Sequence, residues 1–275
     1  MEILEGKKLK IEVDLHGGTL HSIIDKENNE ELMYQIEEGS WPNQDVVIFP
    51  HVGTNSFDIN GKHYEISTRH GLLRNADFKF KEKGENYLKV YYESSEESKK
   101  VFPFDFEFIL TYKLEDYKLI EHVEIVNKSK EILPCMYGSH LAIKTNEKGI
   151  VLLNENRVLH PLNEKGLIDL DKVVILPETL TLTKDLFKKY DTLVIENKSN
   201  HLEVKTGFGY TVNYKFDCPN FAIWSNANKG NYVCIEPWWG ISNIINESKE
   251  LKNREFINLV EDKKEFEFSI EFNKD

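Results

Sequence analysis

Two histidines and one glutamate have neighbours that suggest proton-transfer chemistry. His70 follows an arginine and precedes a glycine, His140 lies between small residues inside an apolar run, and Glu236 ends an apolar stretch before a proline and two tryptophans. Histidine has an ordinary pKa close to neutrality, and a carboxylate among apolar residues is costly to bury unless it has partners or a role. The three side chains could supply an acid and a base. Taken alone, a histidine in either of these contexts more often has a structural role, and the glutamate has one as often as not.

Other kinds of chemistry lack their sequence motifs. The chain has no HExxH, no P-loop and no GxSxG, and Gly207-Phe208-Gly209 lacks the third glycine of a dinucleotide site. No His, Cys and carboxylate cluster has metal-ligand spacing. We therefore expect neither a cofactor nor a metal. The cysteines, at 135, 218 and 234, are odd in number and match no CxxC pattern, which favours buried free thiols in a reducing compartment.

The elements that must position these side chains are mainly strands. Apolar and polar residues alternate with period two, which is typical of half-buried antiparallel strands joined by hairpins. The pattern covers residues 9–15, 87–93, 106–114, 119–126, 202–205, 210–214 and 266–272. Short helical signals occur at 183–187 and 247–253, and Pro237 is expected to end its strand. With no linker or composition break, residues 1–275 are predicted to form one all-β domain, a sandwich or a barrel.

Charge and hydropathy limit the possible partners. The chain has 35 basic and 47 acidic residues, a formal net charge of −12. This balance argues against nucleic acid, because affinity for a phosphate backbone depends on basic side chains, and mildly against an anionic membrane surface. The first residues lack the order of a signal peptide, and no apolar run approaches the ~20 residues of a membrane span. We expect a cytoplasmic protein. The sequence does not indicate an oligomeric state.

Six segments, in order, resemble the aldose 1-epimerase (galactose mutarotase-like) family across most of the chain. They are residues 17–23, residues 31–34, the segment containing Phe49-Pro50-His51-Val52-Gly53, the stretch from Asn60-Gly61-Lys62-His63-Tyr64 to His70-Gly71-Leu72-Leu73-Arg74, Gly138-Ser139-His140, and Cys234-Ile235-Glu236-Pro237-Trp238. The length and the Phe-Pro variant are most similar to the LacX-like branch. Three positions depart from the family pattern: Leu141 replaces a proline, Thr54 an arginine and Leu72 a phenylalanine. The loss of that arginine affects substrate identity more than catalysis.

The resemblance implies a fold, an activity and residue roles. The fold would be a large antiparallel β-sandwich of the supersandwich type, with few short helices and a site in a cleft across one sheet. The activity would be cofactor-independent interconversion of the anomers of a small aldose. Glu236 would be the general base at the C1 hydroxyl, His140 the general acid at the ring oxygen, and His70 a third catalytic-site group that positions the sugar. Arg74 would bind ring hydroxyls.

The resemblance leaves further assignments and alternatives open. Trp238 or Trp239 would form a wall of the sugar pocket, whereas Trp224 is expected in the core. A hexose-6-phosphate 1-epimerase is one alternative; the acidic chain and Thr54 disfavour it, while Lys62 and Arg69 favour it. A non-catalytic sugar-binding protein on the same fold is another. A glycosidase is disfavoured, because it would normally need two carboxylates at the scissile bond.

Overall fold

The structure is a computed structural model that describes residues 1–226 and 230–275, and strands dominate it. The first thirteen strands are β1 (Glu2–Glu5), β2 (Leu9–Val13), β3 (Leu20–Asp25), β4 (Glu30–Glu31), β5 (Val47–Ile48), β6 (Asn55–Ile59), β7 (Lys62–Ile66), β8 (Lys79–Lys83), β9 (Tyr87–Glu93), β10 (Phe106–Glu115), β11 (Lys118–Asn127), β12 (Leu133–Cys135) and β13 (Tyr137–Ser139). The other strands are β14 (Ala142–Lys144), β15 (Ile150–Leu152), β16 (Arg157–His160), β17 (Val174–Leu176), β18 (Thr179–Thr181), β19 (Thr192–Glu196), β20 (His201–Lys205), β21 (Tyr210–Phe216), β22 (Asn220–Trp224), β23 (Tyr232–Trp239), β24 (Asn258–Val260) and β25 (Lys263–Lys274).

Helices are short and few in the described ranges. The helical signal at 183–187 is confirmed by α2 (Lys184–Tyr190), because the Thr183 side chain accepts from the Leu186 N–H and caps the helix. The signal at 247–253 gives only a 3₁₀ turn, Leu251–Asn253. The sequence analysis missed α1 (Glu96–Val101), which begins with a capping box between Ser95 and Ser98. None of these helices has the length and apolar character needed to cross a bilayer.

Two large antiparallel sheets form the sandwich, which confirms the predicted fold class. One has nine strands in the order β18-β15-β20-β21-β25-β11-β10-β9-β8. The other has the order β17-β16-β19-β22-β23-β13-β5, with β14 also paired to β23. A four-stranded sheet, β1 to β4, and the pairs β6-β7 and β12-β24 complete the strands of the described residues. The alternation read from the sequence belongs mainly to the nine-stranded sheet.

The core lies between the two large sheets. In β11 every second residue is buried, so one face of the nine-stranded sheet is apolar and the other is polar. Side chains of the second sheet pack on this face: the Tyr137 ring lies 5.9 Å from Phe108 and 5.4 Å from Phe266, centroid to centroid. The Tyr137 hydroxyl also donates to the buried carboxyl group of Glu121, on β11.

Strand β23 differs from the rest because all eight of its residues are buried. Contrary to expectation, the strand does not end at Pro237 but continues to Trp239, and its residues from Cys234 to Trp238 pair with β22. On its other edge β23 pairs with β14 up to Cys234 and with β13 from Trp238 onward. The proline therefore falls where this edge has no ladder partner, and a missing N–H costs nothing there. The gap between β13 and β14 is the position of His140.

Candidate active site

The strand register brings His140 and Glu236 together. Gly138 pairs with Trp238 and Ala142 pairs with Cys234. His140 lies midway between the first members of these pairs and Glu236 midway between the second, so the two residues fall opposite each other, as a direct cross-strand pair would. His140 Nε2 lies 3.2 Å from a Glu236 carboxyl oxygen, and both side chains are buried.

His70 reaches the same place from a loop. A parallel bridge joins Gly71 to Phe49, and the His70 N–H donates to the Gly53 carbonyl at 2.7 Å. His70 has φ +70° and Gly71 has φ +92°, and a Cβ at Gly71 would collide with the Phe49 carbonyl. The backbone path beside the imidazole is therefore tight, and the absence of a side chain at Gly71 allows it. The His70 and His140 rings lie 5.6 Å apart, edge to face.

A backbone hydrogen bond selects the tautomer of His70. The Gly53 N–H donates to His70 Nδ1 at 3.3 Å, so the ring hydrogen of the neutral imidazole is on Nε2. Burial, followed by the neighbouring His140 and Arg69, holds the pKa of His70 well below its usual value. At neutral pH His70 is therefore an uncharged donor through Nε2.

Burial also keeps His140 and Glu236 uncharged. It lowers the pKa of His140 to about 3 and raises the pKa of Glu236 to about 8. Arg69 and Trp238 act on the Glu236 pKa in the opposite direction without cancelling the shift. Their 3.2 Å contact therefore joins two neutral groups near pH 7 and is not an ion pair. The pair holds one proton that can move from the carboxyl group to the imidazole.

Tryptophans form much of the cleft wall. Trp238 lines the cleft as predicted, together with Trp41 and Trp224. The expectation for Trp224 is wrong: it is half-buried and its ring lies 5.4 Å from that of His140. Trp239 points away from the cleft, stacks on Tyr137 and donates its indole N–H to Asp217. Adjacent residues of a strand face opposite sides, which is why only one of the Trp238–Trp239 pair reaches the site.

The cleft has a volume of about 460 Å³ and contains all five predicted site residues: His70, Arg74, His140, Glu236 and Trp238. Arg69 and Thr54 also line it, whereas Lys62 lies over the Tyr64 ring on β7, outside it. Sequence reasoning missed Trp41, Lys165, Asp191 and Thr192. They come from segments without a motif, so only the folded chain identifies them.

The donor groups do not form a metal site. Within residues 1–226 and 230–275, three or more His, Cys, Asp or Glu side chains do not converge as a metal site would require. The three cysteines are buried free thiols, as predicted.

Comparisons with known proteins agree with this geometry. The model of the aldose 1-epimerase family matches residues 1–256. Protein LacX of Lactococcus lactis is 26% identical over 276 residues, covering 91% of each chain. A galactose mutarotase related enzyme from Lactobacillus acidophilus superposes with a TM-score of 0.92 at 28% identity, over 99% of this chain and 97% of that chain. A galactose mutarotase-like protein from Lactobacillus casei shares the fold, with a TM-score of 0.90 at 19% identity, over 99% and 100% of the chains.

Replacing Gly71 by alanine should destabilise the loop that holds His70. Gly61→Ala is the matched control, since Gly61 has φ +77° and open space around its Cα, whereas Gly71 has φ +92° and faces the Phe49 carbonyl. Both variants carry the cost of a positive φ, about 1 kcal/mol. We expect Gly71→Ala to lose at least about 1–3 kcal/mol more in free energy of unfolding, measured by urea denaturation. Equal losses in the two variants would contradict the close approach.

Proposed function

This chain belongs to the aldose 1-epimerase family, and on that premise we propose that it interconverts the α and β anomers of a hexose by acid/base ring opening and closure. The observation that carries the proposal is the contact between His140 and Glu236 inside a cleft that Trp41, Trp224 and Trp238 help to line. A site that only bound sugar would not need an acid and a base held together away from water.

The reaction requires two proton transfers. The anomeric hydroxyl must lose a proton and the ring oxygen must gain one; the ring then opens to the aldehyde, the C1–C2 bond rotates, and closure reverses both transfers. Glu236 as carboxylate takes the proton from the C1 hydroxyl. His140 as imidazolium gives one to the ring oxygen. His70 donates through Nε2 and stabilises the negative charge that develops near the ring oxygen.

The shared proton prepares the pair for these roles. In the free site Glu236 holds the proton and His140 is neutral, because burial disfavours both charges. Moving that proton from Glu236 to His140 creates the base and the acid in one step, without exchange with solvent. Arg69 favours the carboxylate form of Glu236 and so assists this transfer. Arg74 and Trp238 are the proposed sugar-binding groups, one for hydroxyls and one for an apolar ring face.

Removing either proton-transfer group should abolish catalysis. We expect Glu236→Gln and His140→Asn each to reduce the enzymatic acceleration of glucose or galactose mutarotation by about 10²–10⁴-fold, followed by polarimetry. His122→Asn is the control: His122 lies on β11, where it contacts Glu267, outside the cleft. Full activity in either test variant would contradict the assignment. Sugar binding by the unaltered protein without any acceleration would favour a non-catalytic sugar-binding protein.

The pH profile follows from the single shared proton. Catalysis needs one proton on the pair; raising the pH through about 8 removes it from Glu236, and a second proton adds only near pH 3, at His140. We expect kcat/KM to be level around neutral pH and to fall about tenfold per pH unit above this pKa. The measurement is polarimetry with buffer blanks, because base also accelerates the uncatalysed reaction. Activity that rises through pH 8 would contradict the one-proton arrangement.

A hexose-6-phosphate 1-epimerase is a second candidate because of the cations in the cleft. Arg74 donates to the Arg69 carbonyl at 3.0 Å, and burial together with the charge of Arg69 lowers the Arg74 pKa. In the two described ranges neither arginine forms an ion pair with a carboxylate, and Lys165 lines the same cleft. Cations without carboxylate partners would suit the phosphate of a sugar ester.

Relative rates separate the two candidates. For a neutral hexose we expect kcat/KM on glucose or galactose to equal or exceed that on glucose 6-phosphate. A sugar phosphate substrate would reverse this order by about tenfold or more, since a hydrogen bond to a charged group contributes about 1.5–3 kcal/mol. Arg69→Gln would then remove most of the preference for the ester. Lys62→Gln, which alters a cation outside the cleft, would leave the ratio unchanged.

A further inference from the structure

The imidazole of His140 lacks the hydrogen bond that usually orients a catalytic histidine. In most such sites the ring nitrogen away from the chemistry is bonded to a carboxylate or a carbonyl, which fixes the ring plane and the tautomer. His140 Nδ1 is buried and has no hydrogen-bond partner on another residue in the described parts of the chain. Another interaction must therefore hold the ring against Glu236.

Aromatic rings surround His140 in place of that hydrogen bond. Trp41 stacks on its face, with centroids 4.7 Å apart and an interplanar angle of 26°. Trp224 and His70 approach edge to face, at 5.4 and 5.6 Å. Among these three contacts the Trp41 stack is the one made face to face and has the shortest centroid distance, and burial lowers the His140 pKa.

The segment that contains Trp41 also holds the backbone next to His140. Asp45 is buried, and its carboxyl group accepts from the Leu20 N–H at 2.9 Å. The backbone of His140 lies beside this carboxyl group and opposes the effect of burial, which raises the Asp45 pKa. The Gln44 carbonyl accepts from the Ala142 N–H at 2.9 Å. The Ala142 N–H points away from β23, and the segment that contains Trp41 supplies its acceptor.

We propose that the segment from Trp41 to Asp45 positions His140 for proton transfer. The Trp41 indole stacks on the imidazole, and the Gln44 carbonyl holds the adjoining backbone at Ala142. This inference rests on the proposed mutarotase function, but it concerns a residue outside the family-like segments. Trp41 is a positioning residue: it holds the imidazole at hydrogen-bonding distance from Glu236. Misplacing a reacting group by about 1 Å costs about 10²-fold in rate.

Kinetics of three variants test the proposal. We expect Trp41→Ala to lower kcat by about 10–10²-fold while KM changes by less than about threefold, and Trp41→Phe, which keeps a stacked ring, to retain most of kcat. Ser40→Ala is the control: Ser40 belongs to the same loop and contacts Asn226, so its loss alters the loop without removing the stack. A change confined to KM in Trp41→Ala would overturn the proposal, because Trp41 would then contribute to sugar binding and not to the position of His140. A loss of kcat in Ser40→Ala as large as that in Trp41→Ala would also overturn it.

Nuclear magnetic resonance gives a readout that does not depend on activity. A stacked indole shifts the ring protons of His140 upfield, and the His140→Asn spectrum identifies these signals by their absence. We expect the signals to move downfield in Trp41→Ala and to stay near their original position in Ser40→Ala. Unmoved signals in Trp41→Ala would overturn the positioning role. If the unaltered protein shows the shift but does not accelerate mutarotation, the proposed function fails while the stacking contact stands.

Discussion

The cost of burying ionisable groups is the constraint on which the site depends. Glu236 lies on a strand whose eight residues are all buried, and the side chain of His140, opposite it, is buried as well. Neither group can carry a charge cheaply there, so each pKa moves toward the neutral form. The outcome is a pair of neutral groups in contact, with one proton between them. The same burial that opposes their charges in the free protein would strengthen every interaction with charge that develops during reaction.

An interruption in strand pairing, between β13 and β14, places His140 opposite Glu236. A continuous strand opposite β23 would occupy its edge with ladder hydrogen bonds and would require an N–H where Pro237 has none. The chain instead leaves β23 between Ser139 and Ala142, which frees His140 and tolerates the proline in a buried strand. This one interruption of the pairing therefore explains both a histidine inside an apolar run, His140, and a proline inside a buried strand, Pro237. Functional positions are expected where local rules and the regular fold disagree.

The sequence predicted the periodic parts of the molecule and the family-like segments well. Alternation identified strands such as β10 and β11 because one face of the nine-stranded sheet is polar, whereas β23 is buried on both faces and shows no alternation. The placement of Trp224 was wrong because an aromatic residue on an apolar strand is usually core, and the side it faces depends on pairing that one sequence does not reveal. Trp41 was missed for a similar reason: its segment has no period.

The cleft contains arginines without carboxylate partners among the described residues, although the chain as a whole is acidic. The protein has a formal net charge of −12, yet Arg69 and Arg74 stand at the mouth of the site without carboxylate partners among the described residues. Burial and then repulsion by the neighbouring Arg69 lower the Arg74 pKa, although the chain has an excess of carboxylates that could have paired with both arginines. An oxygen-rich ligand would supply the charged acceptors that neither arginine finds in a carboxylate of the described residues. The position of the two arginines therefore favours the proposed role in ligand binding over a role in folding stability.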